Sequence, residues 1–245
     1  MAAAGYGSSV EGVHAVAAAL AAGRVERLYV ERGRRGRLGS LLEALDQPIV
    51  EFVDDVRPMA ETDAPQGVVA RCRPIQPVAL GSLAGEDAAI LVLDHVEDPH
   101  NVGAVARSAL AAGLSGMVVS SRRAAPLSAT SFKAAAGALE RLPVAIVGSI
   151  PEALGRLKDS GVWVVGLDAG SEQTLFGLDL LTEPVSIVIG AEGTGLAELT
   201  RKRCDVLASI PMAEGTESLN ASVSAALASF EIMRVRNDAS GLLEN

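Results

Sequence analysis

The amino-acid sequence predicts an α/β protein in which a parallel sheet, covered by helices on both faces, follows a smaller α/β unit. From residue 88 onward, short apolar segments alternate with helical segments, which is typical of a parallel sheet buried on both sides. Residues 10–72 also alternate between helix and strand patterns, over a shorter length. Residues 74–88 are rich in proline and glycine and indicate a connector between the two units.

The N-terminal unit is predicted to contain two helices and three strands. Alanine-rich residues 10–22 favour a helix that Gly23 ends, because alanine loses no side-chain entropy in a helix. Residues 32–39, rich in glycine and arginine, indicate a loop. The other predicted elements are strands at 27–31, 48–53 and 66–72 and a helix at 41–45.

The C-terminal unit is predicted to supply the large parallel sheet. Its first strand, residues 88–94, is almost wholly apolar, as a strand covered on both faces would be. The other predicted strands are 116–120, 143–147, 162–167, 184–190 and 206–210. The predicted helices are 101–112, 128–138, 151–160, 196–202 and 217–236.

Composition limits the class of protein. Apolar residues make up 49% of the chain and aromatic residues 3%, so the predicted core is aliphatic. Cys72 and Cys204 are too few for a disulfide framework, which favours reduced thiols. No segment has the pattern of a signal peptide, and no apolar stretch reaches membrane-spanning length. We therefore expect a cytoplasmic protein that does not associate with a membrane.

The net charge of −9 disfavours a general nucleic-acid binder, which usually has a basic surface. The charge is unevenly distributed, since the first 80 residues carry nine arginines against ten acidic residues. Six arginines cluster around the first predicted strand: Arg24, Arg27, Arg32, Arg34, Arg35 and Arg37. This cluster is either a local patch for nucleic-acid phosphates or a solvated loop without a specific role, and the sequence leaves both open.

Three segments of the C-terminal unit each follow a predicted strand, and ligands of open parallel sheets collect at the carboxyl ends of strands. The first segment, residues 98–113, begins a helix. Asn101 is a good helix-capping residue, Gly103 allows close approach to the backbone, and Arg107 lies near the same end of the sheet. A capped helix with a surface arginine would have the same sequence, so this segment alone is a weak signal.

The second segment, residues 187–196, places three glycines directly after an apolar strand. Such a turn presents backbone N–H groups and lets a ligand approach the chain closely. The spacing G-x-x-G-x-G differs from the dinucleotide fingerprint G-x-G-x-x-G, which disfavours a nicotinamide-dependent dehydrogenase. Glu192 is the only charged side chain of the turn and faces either a ligand or solvent.

The third segment, residues 210–227, leaves a strand at Pro211 and enters a helix rich in small residues. Ser218 and Asn220 lie beside the start of this helix, where short polar side chains either bond a ligand or cap the helix. Elsewhere, the spacing of aspartate and histidine residues within 94–100 matches no usual metal-ligand pattern, so we predict no metal site.

Together these segments resemble the SpoU family of RNA ribose methyltransferases, within the SPOUT superfamily. The resemblance rests on three motifs whose order and spacing also agree. They are N-x-G-x-x-x-R beginning at Asn101, the glutamate-containing glycine turn at 190–195, and I-P-M…S-L-N-x-S-V beginning at Ile210. The N-terminal unit is similar to the L30e-like substrate-binding domain of family members.

The resemblance also implies a domain arrangement and an assembly. It divides the chain into a substrate-binding domain at 1–76, a linker at 77–88 and a SpoU methyltransferase domain at 89–245. It implies a deep trefoil knot near the C-terminal end and a homodimer whose active site is completed near the interface. Knots are rare exceptions to the rules of chain topology, so the alternation of strands and helices alone would not predict one.

By resemblance, the cofactor is S-adenosylmethionine, held largely by backbone groups, the product is S-adenosylhomocysteine, and no metal is required. The matching cofactor-binding positions are Gly190, Gly195, Ile210, Met212 and Leu219. The implied partner is RNA, and the predicted RNA-binding residues are Arg24, Arg32, Arg34, Arg35, Arg122 and Arg123.

The resemblance implies that Arg107 is the catalytic residue. The side chains that would arrange it and the substrate are those of Asn101, Glu192, Ser218 and Asn220. Because arginine keeps its proton in proteins, we expect Arg107 to hold the target phosphate and polarise the ribose 2′-oxygen rather than act as a base.

Relatives with this layout methylate a guanosine ribose in 23S rRNA, which is the substrate that the resemblance implies. The alternatives are tRNA, an rRNA site whose methylation confers antibiotic resistance, and a catalytically silent RNA-binding protein. The L30e-like unit favours rRNA, since tRNA-modifying relatives more often use terminal helical extensions. The presence of Arg107, Glu192 and Asn220 argues against a silent protein.

Overall fold

The computed structural model describes residues 5–34, 49–215 and 218–239, which form two sheets and their covering helices. The strands are β1 (Ser9–Glu11), β2 (Val25–Glu31), β3 (Ile49–Val53), β4 (Val68–Cys72), β5 (Ala89–Leu93), β6 (Gly116–Ser120), β7 (Val144–Val147), β8 (Trp163–Leu167), β9 (Val185–Ile189) and β10 (Val206–Ala208). The helices are α1 (Val13–Ala21), α2 (Pro99–Ala111), α3 (Ala129–Ala135), α4 (Ile150–Asp159), α5 (Glu198–Arg203) and α6 (Ala221–Ala239). None of the described helices is both long and apolar enough to cross a membrane.

The first four strands form a small mixed sheet in the order β1-β4-β2-β3. β4 is antiparallel to both β1 and β2, whereas β2 and β3 run parallel. α1 adds Ala15, Val16 and Ala19 to the core beside this sheet. Their side chains are small, so the helix packs closely on its neighbours.

The other six strands form a wholly parallel sheet in the order β10-β8-β9-β5-β6-β7. β5 is buried along its whole length, and its alternate residues enter two cores, with Leu91 on one face and Ile90 and Val92 on the other. The first core includes residues of α2, α3 and α6, and the second includes residues of α4. The predicted parallel sheet with helices on both faces is therefore confirmed.

The strand order brings two distant motifs together. β5 and β9 are neighbours in the sheet although three other strands lie between them in the chain. This is the switch point of the sheet, where ligands of open α/β folds bind. The segments that follow β5 and β9 are residues 94–101 and 190–195, so the first and second motifs meet at this edge.

The first predicted helix starts later than the sequence suggests. Residues 10–22 give a helix only from Val13, because β1 pairs with β4 as an edge strand and Gly12 turns the chain with a φ of 86°. The helix predicted at 41–45 lies outside the described residues.

Two helices of the C-terminal unit also differ from prediction. The helix predicted at 128–138 ends before Ala136 and Gly137, whose left-handed backbone conformations break it. The last helix, predicted at 217–236, begins only at Ala221.

The segment predicted as a linker, residues 77–88, is packed against the large sheet. It contains a 3-10 turn at Leu80–Leu83, and the buried side chains at both ends of that turn join the core beneath α4. The Val78 N–H donates to the Val144 carbonyl at 2.9 Å. This segment therefore covers part of one sheet face.

Candidate active site

A closed glycine-rich turn, residues 190–195, follows β9 and forms the centre of the candidate site. The N–H groups of Ala191 and Gly195 each donate to the other residue's carbonyl, at 3.1 and 2.9 Å. Gly193 and Gly195 have φ values of 77° and 66°, in the left-handed region that favours glycine. Glu192, within this turn, is exposed.

Two asparagines from distant parts of the chain hold Glu192. Asn101 Nδ2 and Asn220 Nδ2 donate to Glu192 Oε1 at 2.8 and 2.6 Å, and Asn220 Nδ2 also donates to Asn101 Oδ1 at 3.1 Å. Glu192 Oε2 accepts no hydrogen bond from the described residues, which leaves it available to a substrate. The three motifs therefore meet in one hydrogen-bonded triangle.

Asn220 also caps α6. Its Oδ1 accepts hydrogen bonds from Ser222 N, Ser222 Oγ and Val223 N at 2.9, 2.6 and 3.3 Å. A side-chain acceptor at this position satisfies helix N–H groups that lack a partner within the helix. The sequence left open whether Asn220 caps a helix or faces the site, and the structure shows that one side chain does both.

A cleft of about 300 Å³ lies beside the glycine turn. All five predicted cofactor positions line it: Gly190, Gly195, Ile210, Met212 and Leu219. Glu192 and Ser218 line it too. Its walls come from segments that follow β8, β9 and β10, and such a cleft is the expected place for a small ligand. We call it the first cleft.

Gly190 allows the close approach of two backbone segments in the first cleft. A Cβ at this position would lie 2.2 Å from Gly195 C and 2.4 Å from Gly195 O. Backbone atoms cannot rotate away as a flexible side chain can, so any larger residue would displace the turn. The sequence spacing of the glycines thus has a steric cause.

The sequence analysis missed Asp168 and Arg201, which line the first cleft and form an ion pair. Asp168 directly follows β8, so the rule that ligands collect at strand ends would have found it. Arg201 lies on α5, far from Asp168 in sequence, and no local pattern indicates it.

Asp94, which is fully buried at the end of β5, holds the segment that follows the glycine turn. Its Oδ2 accepts from Ala197 N at 2.9 Å, and its Oδ1 lies 2.8 Å from His95 Nδ1. A buried carboxylate needs such partners. Within the described parts of the chain, no group of three or more histidine, cysteine or acidic residues is placed to hold a metal ion.

A second cleft, of about 590 Å³, lies on the other side of the glycine turn and also contacts Glu192. Asn101, Glu97 and Arg123 line it. Two ligands bound in clefts that share one turn would lie close to each other, as group transfer between them requires. We call it the second cleft.

The structure does not bring Arg107 into either cleft. Arg107 is exposed on α2, and its side chain has no hydrogen-bond or ion-pair partner in the part of the chain that the structure describes. Asn101 lies on the same helix, but helix geometry puts these two residues on different faces. The two clefts of one chain are therefore lined without Arg107.

The prediction that Arg24 binds RNA is wrong. Arg24 is 7% exposed, and its guanidinium forms a buried ion pair with Glu140. A phosphate could not reach it without breaking this pair.

The other predicted RNA-binding arginines are on the surface where they are described. Arg32 pairs with Asp54 at 3.1 Å and Arg34 with Glu31 at 3.2 Å, but exposed pairs of this kind are weak, and a phosphate can compete for them. Arg35 lies outside the described residues. Arg122 and Arg123 follow β6 and have no ion-pair partner within the described chain, and Arg123 lines the second cleft.

Comparison with known proteins agrees with this geometry. The model of the SpoU rRNA methylase family matches residues 88–230, and that of the RNA 2′-O ribose methyltransferase substrate-binding domain matches residues 9–78. The chain is 38% identical to the 23S rRNA (guanosine-2′-O-)-methyltransferase RlmB of Ralstonia nicotianae, over 92% of this chain and 95% of that protein. It is 40% identical, over 92% of its length, to a Synechocystis sp. protein named as an uncharacterized tRNA/rRNA methyltransferase, and it spans 62% of that relative.

A solved structure of a SpoU methyltransferase has the same fold as this chain. The SpoU methyltransferase AviRb from Streptomyces viridochromogenes, in complex with the cofactor AdoMet, superposes with a TM-score of 0.79 at 29% identity, over 94% of this chain and 90% of that one. Fold and site together define an RNA methyltransferase of the α/β class. The chain belongs to the SpoU rRNA methylase family.

Proposed function

We propose that this chain transfers the methyl group of S-adenosylmethionine to the 2′-hydroxyl of a guanosine ribose in 23S rRNA. The observation that carries the proposal is the meeting of Asn101, Glu192 and Asn220 at the turn that separates two clefts. The name of the similar Ralstonia enzyme supports the choice of substrate. The Synechocystis relative is named for tRNA or rRNA, which makes tRNA the second candidate.

The first cleft fits S-adenosylmethionine by its lining. Gly190 and the residues after β10 provide backbone groups, and the carboxylate of Glu192 attracts a positively charged ligand. When bound, this cofactor supplies an electrophilic methyl group on a cationic sulfur. The related AviRb structure with bound AdoMet supports this assignment, and the proposed chemistry needs no metal.

The residues of the turn orient the nucleophile. With the target ribose in the second cleft, Glu192 Oε2 is a free acceptor for a ribose hydroxyl. Asn101 and Asn220 hold the Glu192 carboxylate in one position, so little orientation is lost when the substrate binds. Ser218 adds a hydroxyl group on the cofactor side. Such positioning supplies a large part of the rate of a bimolecular transfer.

Arg107 completes the site from a second copy of the chain. It is exposed and has no ion-pair or hydrogen-bond partner among the described residues of its own chain, and the family resemblance implies a homodimer. In a twofold dimer, Arg107 of each copy can enter the second cleft of the other. There its guanidinium binds the phosphate beside the target ribose and polarises the 2′-oxygen, since arginine keeps its charge and binds phosphate through paired N–H groups.

The surface of α6 supports self-association. Val223, Leu227 and Phe230 are 45%, 36% and 44% exposed, and their spacing places them on one face of the helix. Contiguous exposed apolar side chains mark interaction surfaces. α6 packs against α2, so a dimer formed through α6 would bring Arg107 close to the interface.

The family resemblance supports three further parts of the proposal. The segments around the first cleft form a trefoil knot, residues 1–76 bind the RNA substrate, and the enzyme works in the cytoplasm. The match of residues 9–78 to the substrate-binding model supports the second part.

Methyl transfer to three RNAs tests the proposed function. The protein is incubated with labelled S-adenosylmethionine and undermethylated 23S rRNA, 16S rRNA or tRNA, and the RNA is digested to nucleosides. We expect label only in 23S rRNA, recovered as 2′-O-methylguanosine. Label in tRNA alone would replace the substrate, and no transfer despite cofactor binding would favour an RNA-binding protein without activity.

A further inference from the structure

A buried ion pair joins the N-terminal unit to the methyltransferase unit. Arg24, between α1 and β2, donates from Nε to Glu140 Oε2 and from Nη2 to Glu140 Oε1, both at 2.5 Å. Glu140 lies just after α3 in the other unit. The two side chains are 8% and 2% exposed. This is a two-bond, planar contact between units, and its geometry depends on their relative orientation.

Two further N–H donors of Arg24 are also used. Nη1 donates to the carbonyls of Gly7 and Arg73 at 2.6 and 2.7 Å. The guanidinium also lies over the Phe132 ring, 5.4 Å from its centroid. A charge removed from water in this way is stable only while all of these partners stay in place.

Close apolar contacts surround the ion pair. The rings of Tyr6 and Phe132, one from each unit, are 6.1 Å apart. A Cβ on Gly7 would lie 2.3 Å from Phe132 Cζ, and a Cβ on Gly137 would lie 2.6 Å from Ala18 Cβ. Burial, then the charge of Glu140, raises the pKa of Tyr6 to about 12, as expected where water is excluded.

We propose that Arg24 and Glu140 are positioning residues that hold the RNA-binding unit in one orientation relative to the two clefts. The proposal rests on the RNA-binding role proposed above for the N-terminal unit. Apolar contacts favour docking but tolerate small rotations, whereas the paired N–H···O bonds do not. A fixed spacing lets both units contact one large RNA together, which raises its affinity without any new contact. The enzyme therefore selects RNAs that present both contact regions at the matching separation.

The test combines a distance measurement with kinetics. Spin labels are placed at Asp63→Cys and Asp159→Cys, two exposed positions in different units, and labelled chain is diluted with unlabelled chain. Burial raises the pKa of both native thiols, Cys72 and Cys204, to about 11, so the introduced cysteines react first. Distance distributions, Kd for S-adenosylmethionine, and KM and kcat for a 23S rRNA transcript are measured.

Glu140→Gln keeps the side-chain size but removes the charge. We expect a broader distance distribution and a KM for the transcript raised about tenfold or more, with kcat and the cofactor Kd little changed. Glu198→Gln, which removes the partner of exposed Lys202 outside the RNA-binding unit, is the matched control and should change neither readout. If Glu140→Gln does not fold, Arg24→Met/Glu140→Met removes both charges and leaves no unpaired one.

An unchanged distance distribution, or an unchanged KM in a variant whose units have become mobile, would overturn the proposal. A wild-type protein that does not methylate the transcript would instead contradict the proposed function. The distance measurement would then still decide whether the ion pair fixes the orientation.

Discussion

The two clefts beside the glycine turn differ in how much of each is complete within one chain. The first cleft is lined by backbone, apolar and charged groups, and all five predicted cofactor positions line it. The second cleft has Asn101, Glu192 and Arg123 but lacks Arg107, the residue to which the family resemblance gives the chemistry. On the function that we propose, one chain supplies the cofactor cleft and only part of the reaction site. The comparison indicates that cofactor binding and methyl transfer can be separated by mutation.

The largest expected effect on methyl transfer comes from the residue that the second cleft lacks. Arg107→Ala should lower methyl transfer by at least about 10²–10³-fold, the cost of removing one group that stabilises developing charge. Cofactor affinity should stay within a few-fold, because Arg107 does not line the first cleft. Steady-state kinetics and calorimetric titration check this. Arg156→Ala, another exposed arginine, is the control, and unchanged turnover in Arg107→Ala would remove this residue from the mechanism.

Gly190→Ala should weaken cofactor binding in the first cleft. The added Cβ meets Gly195 backbone at 2.2 Å, and overpacking of this kind costs about 1–3 kcal/mol, so the Kd for S-adenosylmethionine should rise by up to roughly 100-fold. Gly148→Ala is the matched control, since its Cβ would meet no atom of the described residues within 4 Å. Equal cofactor affinity in the two variants would show that the cleft does not depend on this close approach.

Asn220→Asp distinguishes the two roles of Asn220. Aspartate caps a helix about as well as asparagine, so the thermal unfolding midpoint should change little. The new carboxylate cannot donate to Glu192 and repels it, so transfer should fall by roughly tenfold or more. Asn220→Ala loses both roles and should also cost about 0.5–2 kcal/mol of stability. Full activity in the aspartate variant would mean that Asn220 is only a cap.

The smallest effect is expected at the edge of the second cleft. Arg123→Ala should raise the KM for rRNA by a few-fold and reduce the slope of log K against log salt by about one, as loss of one phosphate contact does. An unchanged salt slope would exclude a phosphate contact at Arg123.

Sequence could predict the first cleft because its requirements are local. A Cβ at Gly190 would overlap the Gly195 backbone, Gly195 has a φ of 66° that favours glycine, and the apolar strand before them sets their place in the sheet. The parallel sheet follows from the same strong alternation of apolar strands and helices.

Other features depend on contacts between residues far apart in sequence. The Arg24–Glu140 pair joins residues of different units, so an arginine that looked like part of a surface patch is buried. The Asp168–Arg201 pair also joins two residues that are far apart in sequence. Helix geometry places Arg107 on a different face of α2 from Asn101. We propose that Arg107 acts in the site of a second chain, and the pattern of one sequence does not show contacts between chains.

A mixing experiment tests most directly that one chain supplies the cofactor cleft and another supplies Arg107. It uses two variants that are each nearly inactive when the S-adenosylmethionine concentration is kept well below the Kd of Gly190→Ala. Arg107→Ala and Gly190→Ala chains are assembled together and assayed on 23S rRNA. Random pairing of a twofold dimer should restore about one quarter of wild-type activity, since half of the dimers would contain one site with an intact cleft and an intact arginine. Activity no higher than that of the separate variants would show that Arg107 acts within its own chain and would contradict the account.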